Sequence, residues 1–238
     1  MAPHDTVLLD VDGTLADTTY HHALAWARAF AAHDLHPPLW QVHRAIGMGG
    51  DKLVAAVAGD DVEEQHGEAL RERWEEEYDR LLPEIVLLPG ARDLVLLLAD
   101  RGVRVALASS GKARFTDHVV GLLDLPEGTL AGTTSSDDAE HSKPEPDILS
   151  SALEAAGGSS AVVVGDTTYD VTAAARMGAP CVGLLSGGFG RVELEDAGAV
   201  HVAGTPAELL EADWDGLLEA EPAPAAREDR TPLDRSAG

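Results

Sequence analysis

Aromatic residues are scarce in this chain: three Phe, four Trp and three Tyr among 238 residues. A core must therefore be packed mainly from Val, Leu and Ala, and a hydrophobic content of 45% supplies enough of them. Cations are scarce too. Seventeen Lys and Arg face 42 Asp and Glu, a formal net charge of -25. Such a surface repels nucleic acid and anionic membranes, which excludes both as partners. It also repels anionic substrates, so any phosphate site needs a metal ion and a few placed cations. Cys181 is the only cysteine, which excludes an internal disulfide and fits a reducing cytosol. With no His or Asn constellation around it, it reads as a buried thiol beside a strand. No apolar run is long enough to span a bilayer, and Met1–Asp5 lacks the cationic start and cleavage site of a signal peptide. The expectation is a cytoplasmic protein. Nothing in the sequence bears on oligomeric state.

Continuous apolar runs of strand length recur at Thr6–Leu9, Val103–Ala108, Ala161–Val164 and Cys181–Leu185. Continuity rather than alternation marks strands buried on both faces of a parallel sheet. Thr129–Thr133 is a weaker candidate, and Val200–Val202 reads as an edge strand. Helical stretches alternate with them at Ala91–Asp100, Lys112–Leu123, Pro146–Ala156 and Thr168–Met177, with Gly102 and Gly178 as stops. This alternation predicts an α/β fold with a doubly wound parallel sheet. Residues 17 to about 88 break the pattern and predict helices only. Asp17 can cap a helix running to about His33, followed by Pro38–Ala45, Asp51–Ala58 and Val62–Leu82. In the last of these, Leu70, Trp74 and Tyr78 form an apolar stripe suited to core packing. The expected organisation is a core from 1–16 and 89–215, a helical insert from 17–88, and a disordered acidic tail from 219–238.

Chemistry-bearing residues gather where these strands end. Asp10 and Asp12 lie two apart on an extended backbone and leave on the same side. Two converging carboxylates repel each other unless a cation or shared proton compensates. Standing alone, Asp10-Val11-Asp12-Gly13-Thr14 also reads as a solvated Asp-Gly turn. Ser109-Ser110-Gly111 follows the second long strand and offers a hydroxyl and free N–H groups at a helix start, an anion site or an ordinary N-cap. Lys143 precedes a helix N-terminus, where the helix dipole does not favour a cation, so a phosphoryl oxygen or plain solvent is its partner. Asp166 ends the third apolar strand, and Asp170 lies one helical turn on. Their hard oxygens suit Mg²⁺, although Asp170 also reads as an acid favoured by the helix dipole.

Four such motifs in this order resemble those of the haloacid dehalogenase superfamily, over roughly residues 6 to 185. The resemblance implies a Rossmann-like core with a helical cap. It implies that Asp10 forms an aspartyl-phosphate while Asp12 protonates the leaving oxygen and then activates water. Ser109, with Ser110, Gly111 and Thr14 beside it, matches the phosphate-binding motif. Lys143 matches the lysine that steadies the nucleophile. Mg²⁺ would be held by Asp10, the backbone carbonyl of Asp12 and Asp166, with Asp170 in support. Because Asp12 must carry a proton in the first step, a raised pKa is expected for it.

The insert narrows the branch. Ile46-Gly47-Met48-Gly49-Gly50-Asp51-Lys52-Leu53 is similar to the Gly-rich cap loop of phosphoglycolate phosphatase-like members. Asp17–His22 with Trp26 is similar to the start of the cap in β-phosphoglucomutase-like members, where His22 matches a histidine. Those mutases tend to carry an arginine in the cap loop, whereas Gly49 and Gly50 stand here. Lys52 follows a Met-Gly pair as in phosphonoacetaldehyde hydrolases, but those enzymes and the dehalogenases lack the equivalent of Asp12. Lys52 is thus a substrate-anion contact or a solvated helix lysine. The expected function is hydrolysis of a small phosphorylated metabolite, with a phosphosugar mutase as the alternative. A receiver-type signalling module shares the aspartyl-phosphate chemistry, but it would carry its acceptor after a middle strand and have no cap.

Overall fold

The computed structural model describes residues 3–138 and 141–223. Of the tail expected over 219–238, residues 224–238 lie outside the described residues. Six strands form one parallel sheet: β1 (Thr6–Leu9), β2 (Arg104–Ala108), β3 (Gly132–Thr134), β4 (Ala161–Gly165), β5 (Cys181–Leu184) and β6 (His201–Ala203). Their order is β3-β2-β1-β4-β5-β6, the doubly wound arrangement, with Leu8 opposite Ala106 on one side and Val163 on the other. The four long apolar runs become the four central strands because burial on both faces tolerates no polar alternation. Both edge strands are three residues long, a length that limits their use as pairing templates. The weak candidate at 129–133 is displaced to β3, since Thr129 is spent in a turn closed by its hydroxyl on the Pro126 carbonyl (2.8 Å).

Side chains alternate between two cores. Val7, Leu9, Val105, Leu107 and Val164 face a layer containing α5 (Ala91–Asp100), α6 (Ala113–Leu123) and α10 (Trp214–Leu218). Leu8, Ala106, Ala108 and Val163 face α7 (Asp147–Ala155), α8 (Thr168–Met177) and α9 (Arg191–Ala197). Cys181 is a buried thiol in the second core.

Between β1 and β2 the chain leaves the sheet for α1 (Thr19–Ala32), α2 (Leu39–Ala45), α3 (Gly50–Ala58) and α4 (Asp60–Asp79). This helical insert has its own apolar centre, including Ala29, Phe30, Val42, Leu53, Val54 and Leu70. Its two connections to the sheet pair with each other: Leu88 N donates to Leu15 O (2.9 Å) and Asp17 N to Val86 O (3.0 Å). Asp17 is therefore exposed in this crossing and does not cap α1; Thr18 holds the N-cap position, and its hydroxyl is used elsewhere. Five of the few aromatic residues, Trp26, Phe30, Trp74, Tyr78 and Phe115, run in one ladder from the insert to α6.

At the opposite end of the sheet, Asp5 ties three strand starts together. Its carboxylate accepts from the N–H groups of Ser159 (3.0 Å) and Ser160 (3.3 Å), from the Thr6 hydroxyl (2.9 Å) and from Arg104 (2.9 Å). Burial alone would raise its pKa, but the bonds from Ser159, Thr6 and Ser160 outweigh that and lower it to about 2. A depressed folded pKa adds stability above the unfolded carboxylate range, lost as pH falls towards 2. Solvent reaches a third of the side chain, so Asp5→Ala is expected to lose only about 1 kcal/mol at pH 7. In urea titrations the gap from the parent should narrow as pH drops below about 4. A gap independent of pH would contradict the assignment.

Candidate active site

The carboxyl ends of the strands deliver the chemistry. Asp10 follows β1, its N–H bonded to the Val164 carbonyl (2.9 Å), and Ser109 follows β2, its N–H donating to Thr134 O (3.3 Å). Asp166 follows β4, and Lys143 reaches the same point from the loop between β3 and α7. Gly13 makes the turn out of β1 at φ +76°, and a Cβ there would collide with the Asp166 carboxylate. A Cβ at Gly187, in the turn after β5, would collide with the same carboxylate, so two backbones that admit no side chain close on Asp166.

Lys143 is 1% exposed, donates to Asp10 Oδ1 and pairs with Asp170 Oδ1 at 2.7 Å. The other oxygen of Asp170 accepts from the Thr167 N–H (3.1 Å) and hydroxyl (2.6 Å), a reciprocal cap that starts α8. Asp170 therefore serves the helix cap and the lysine together. Asp166 Oδ1 accepts a long bond from the Thr14 hydroxyl (3.4 Å), while its Oδ2 is buried without a partner. Ligand oxygens of Asp10, Asp166 and Asp170 lie within 4.8 Å of one another.

One ammonium thus answers three buried carboxylates. Burial pushes Asp10 up first; Lys143 pulls against it, the charges of Asp170 and Asp12 push again, and the result is about 7. Burial, then Asp170 and Asp10, hold Asp166 well above the carboxylate range. Burial opposes the charge on Lys143, but Asp10 and Asp170 more than restore it and raise its pKa. The excess negative charge, the all-oxygen donor set and the orphaned Asp166 Oδ2 together fit a divalent cation.

Asp12 departs from expectation. Burial would raise its pKa, as the sequence reading required, but His22 and Thr18 reverse the sign and lower it. Its Oδ1 accepts from the Thr18 hydroxyl (2.7 Å) and from His22 Nε2 (3.0 Å), which must therefore carry the proton. The His22 ring is stacked on Tyr78 (4.0 Å between centroids) and neighbours Trp74 (5.6 Å). Thr18, Tyr78 and Trp74 escaped sequence reasoning as site residues. The spacing of Thr18 and His22, one helical turn apart just beyond Asp12, was the available signal.

A cavity of about 70 Å³ opens over this cluster, lined by Asp10, Asp12, Asp166, His22, Ser110 and Gly111 and roofed by the Ile46–Gly50 segment of the insert. Ser109 Oγ accepts from Gly111 N–H (3.0 Å), which shapes the loop, and Ser110 Oγ is buried without a partner. Lys52 does not line the cavity. It donates to the Ser142 carbonyl (2.5 Å), tying α3 to the loop that carries Lys143. Further ties close the insert onto the core: His43 Nε2 donates to Gly187 O (2.9 Å), and Arg44 pairs with Glu193 (2.6 Å) and lies over Phe189 (3.9 Å).

The sequence profile of haloacid dehalogenase-like hydrolases matches residues 4–178. Phosphoglycolate phosphatase from Pseudomonas fluorescens is 30% identical over 192 residues, 76% of this chain and 69% of the relative. Validoxylamine A 7'-phosphate phosphatase from Streptomyces hygroscopicus subsp. limoneus is 28% identical over 191 residues, 77% of this chain and 86% of the relative. The crystal structure of a hydrolase from Pseudomonas syringae superposes with a TM-score of 0.83 at 33% identity, covering 89% of this chain and 98% of that one. With its parallel sheet, its helical insert and its acidic cluster at the strand ends, the chain belongs to the haloacid dehalogenase-like hydrolases and is a phosphatase of that family.

Proposed function

We propose that the chain is a Mg²⁺-dependent phosphomonoesterase that hydrolyses a small phosphorylated metabolite through an aspartyl-phosphate on Asp10. The observation that carries this reading is the contact of buried Asp10 with Lys143 beside Asp166, whose Oδ2 has no protein partner. Asp10, the Asp12 backbone carbonyl and Asp166 would hold Mg²⁺, with Asp170 alongside. When bound, the ion supplies positive charge that offsets repulsion between the Asp10 carboxylate and an anionic phosphoryl group.

The protein groups divide the remaining work. An Asp10 carboxylate oxygen attacks phosphorus as the bond to the leaving oxygen breaks, and Asp12 gives that oxygen its proton. Lys143 holds the attacking carboxylate in line and balances charge on the transferring group. Ser109, Ser110, Gly111 and Thr14 surround the phosphoryl oxygens. Asp12 then takes a proton from water, whose oxygen attacks phosphorus and releases phosphate and the free Asp10 carboxylate. His22 and Thr18 occupy one oxygen of Asp12 and leave the other for these transfers. Since they hold Asp12 ionised at rest, its proton arrives with the substrate, whose negative charge raises the pKa. Residues 17–88 act as a cap that excludes water, with the paired connections at Leu15–Asp17 and Val86–Leu88 as its hinge. Lys52 positions the loop of Lys143 from the cap side. The acidic composition, the single buried Cys181 and the lack, among described residues, of any helix long and apolar enough to cross a membrane support a cytoplasmic setting.

Asp10→Asn should reduce Mg²⁺-dependent hydrolysis of p-nitrophenyl phosphate by at least about a thousandfold. Full activity in that variant would refute the mechanism. The product of wild-type turnover should be inorganic phosphate, not an isomerised ester. A second test addresses the charge cluster. Lys143→Met leaves buried carboxylates without their ammonium and should cost about 3–5 kcal/mol at pH 8 without metal. The folded pKa values of Asp10 and Asp166 are raised, so the native state takes up protons as pH falls. Urea denaturation should therefore show a smaller loss near pH 5 than at pH 8, and the reverse order would contradict the charge assignment.

A further inference from the structure

Two buried oxygens beside the catalytic cluster have no protein partner: Asp166 Oδ2 and Thr19 Oγ1. Each residue is only 1% exposed, so bulk solvent does not satisfy them. They meet at Gly13. A Cβ there would collide with both, so the two oxygens border one point in space. They lie close together, yet they are not bonded to each other.

The surroundings account for neither oxygen. Asp166 Oδ1 takes the Thr14 hydroxyl (3.4 Å), which leaves Oδ2 against Gly13 and Gly187. The carbonyls of both glycines are already engaged: Ser186 Oγ donates to Gly13 O (2.5 Å) and His43 Nε2 to Gly187 O (2.9 Å). Thr19 is the first residue of α1, and the adjacent Thr18 spends its hydroxyl on Asp12 (2.7 Å). An unused hydroxyl at a buried helix position is unfavourable twice, through helix propensity and through desolvation. Buried polar atoms are normally satisfied, so two such oxygens around one point call for a group that completes both.

Resting on the divalent-cation reading of Asp166 above, we infer that Thr19 is a positioning residue for the metal. Asp166 Oδ2 ligates the ion, and a water of the ion's hydration shell donates to Thr19 Oγ1. Mg²⁺ keeps several waters where protein ligands are few, and groups that hold such outer contacts tune its affinity. Thr19 belongs to the helical insert, two residues past the bond from Asp17 N to Val86 O (3.0 Å). The ion thus links core and insert. Metal occupancy favours the seated α1, and by reciprocity the seated insert tightens the metal. The insert contributes to the metal site while supplying no ligand to it.

The test reads metal binding and hydrogen exchange, so it does not depend on turnover. Isothermal titration of the full chain with Mg²⁺ compares wild type with Thr19→Val, which keeps the shape and loses the hydroxyl, and Thr19→Ser, which restores it. Thr19→Val should bind Mg²⁺ about tenfold more weakly, and Thr19→Ser should stay within about twofold of wild type. Thermal melts without metal confirm that each variant folds. At saturating Mg²⁺, exchange of the Asp17 and Leu88 amides should slow in wild type and Thr19→Ser but keep its metal-free rate in Thr19→Val. Wild-type affinity in Thr19→Val, equal weakening in Thr19→Ser, no slowing in wild type, or the same slowing in all three proteins would overturn the inference. Each of these leaves the metal assignment standing. If wild type binds no Mg²⁺, or Asp166→Asn binds it unchanged, the metal assignment of Asp166 falls and the role of Thr19 falls with it.

Discussion

Everything at the active end of this protein depends on a buried imbalance of charge: one ammonium, that of Lys143, among the carboxylates of Asp10, Asp166 and Asp170. Ionised carboxylates at such spacing in a dry site repel strongly, and a fold keeps them only if something compensates. Each compensation here has a second use. The lysine that stabilises Asp10 also aims it. The cap residues that hold Asp170 also start α8. The oxygen left over, Asp166 Oδ2, has no protein partner and suits a divalent cation.

The sheet makes this cluster possible. Parallel order brings the ends of β1, β2, β3 and β4 to one edge, so residues separated by up to 156 positions in sequence converge there. Glycines finish the approach: Gly13 and Gly187 let two backbones close on one carboxylate. Above the edge, the insert adds what the sheet lacks. It brings aromatic surface to an aromatic-poor chain, and through His22 and Thr18 it sets the protonation of Asp12. On the proposed mechanism the insert therefore takes part in the acid–base chemistry as well as covering the site.

Much of this was legible in the sequence, for physical reasons. Strands buried on both faces must be continuously apolar, so β1, β2, β4 and β5 announced themselves, and the acidic and cationic motifs at their ends followed from topology. Asp10, Ser109 and Asp166 were expected where strands end and stand directly after β1, β2 and β4, while Lys143 reaches Asp10 from the loop before α7. The illegible parts are those set by contacts between distant segments. The sign of the Asp12 shift depended on a histidine and a threonine from the next element, not on its own neighbours. Trp74 fitted a core stripe and does pack there, yet one edge also walls the cavity, which spacing along a helix cannot reveal. Lys52 was readable as a cation but not as a tie to the Ser142 carbonyl. Gly187 lay in a glycine-bearing turn whose value appears only once Asp166 is beside it.

The account turns on a phosphoryl group passing through Asp10. Mixing the Mg²⁺-loaded wild-type protein with a hydrolysed phosphomonoester, quenching in acid within one turnover and mapping peptides by mass spectrometry tests it most directly. The account predicts one added phosphoryl group on the peptide containing Asp10, absent when the metal is chelated. Turnover with no phosphorylated peptide, or with the group on another residue, would contradict it.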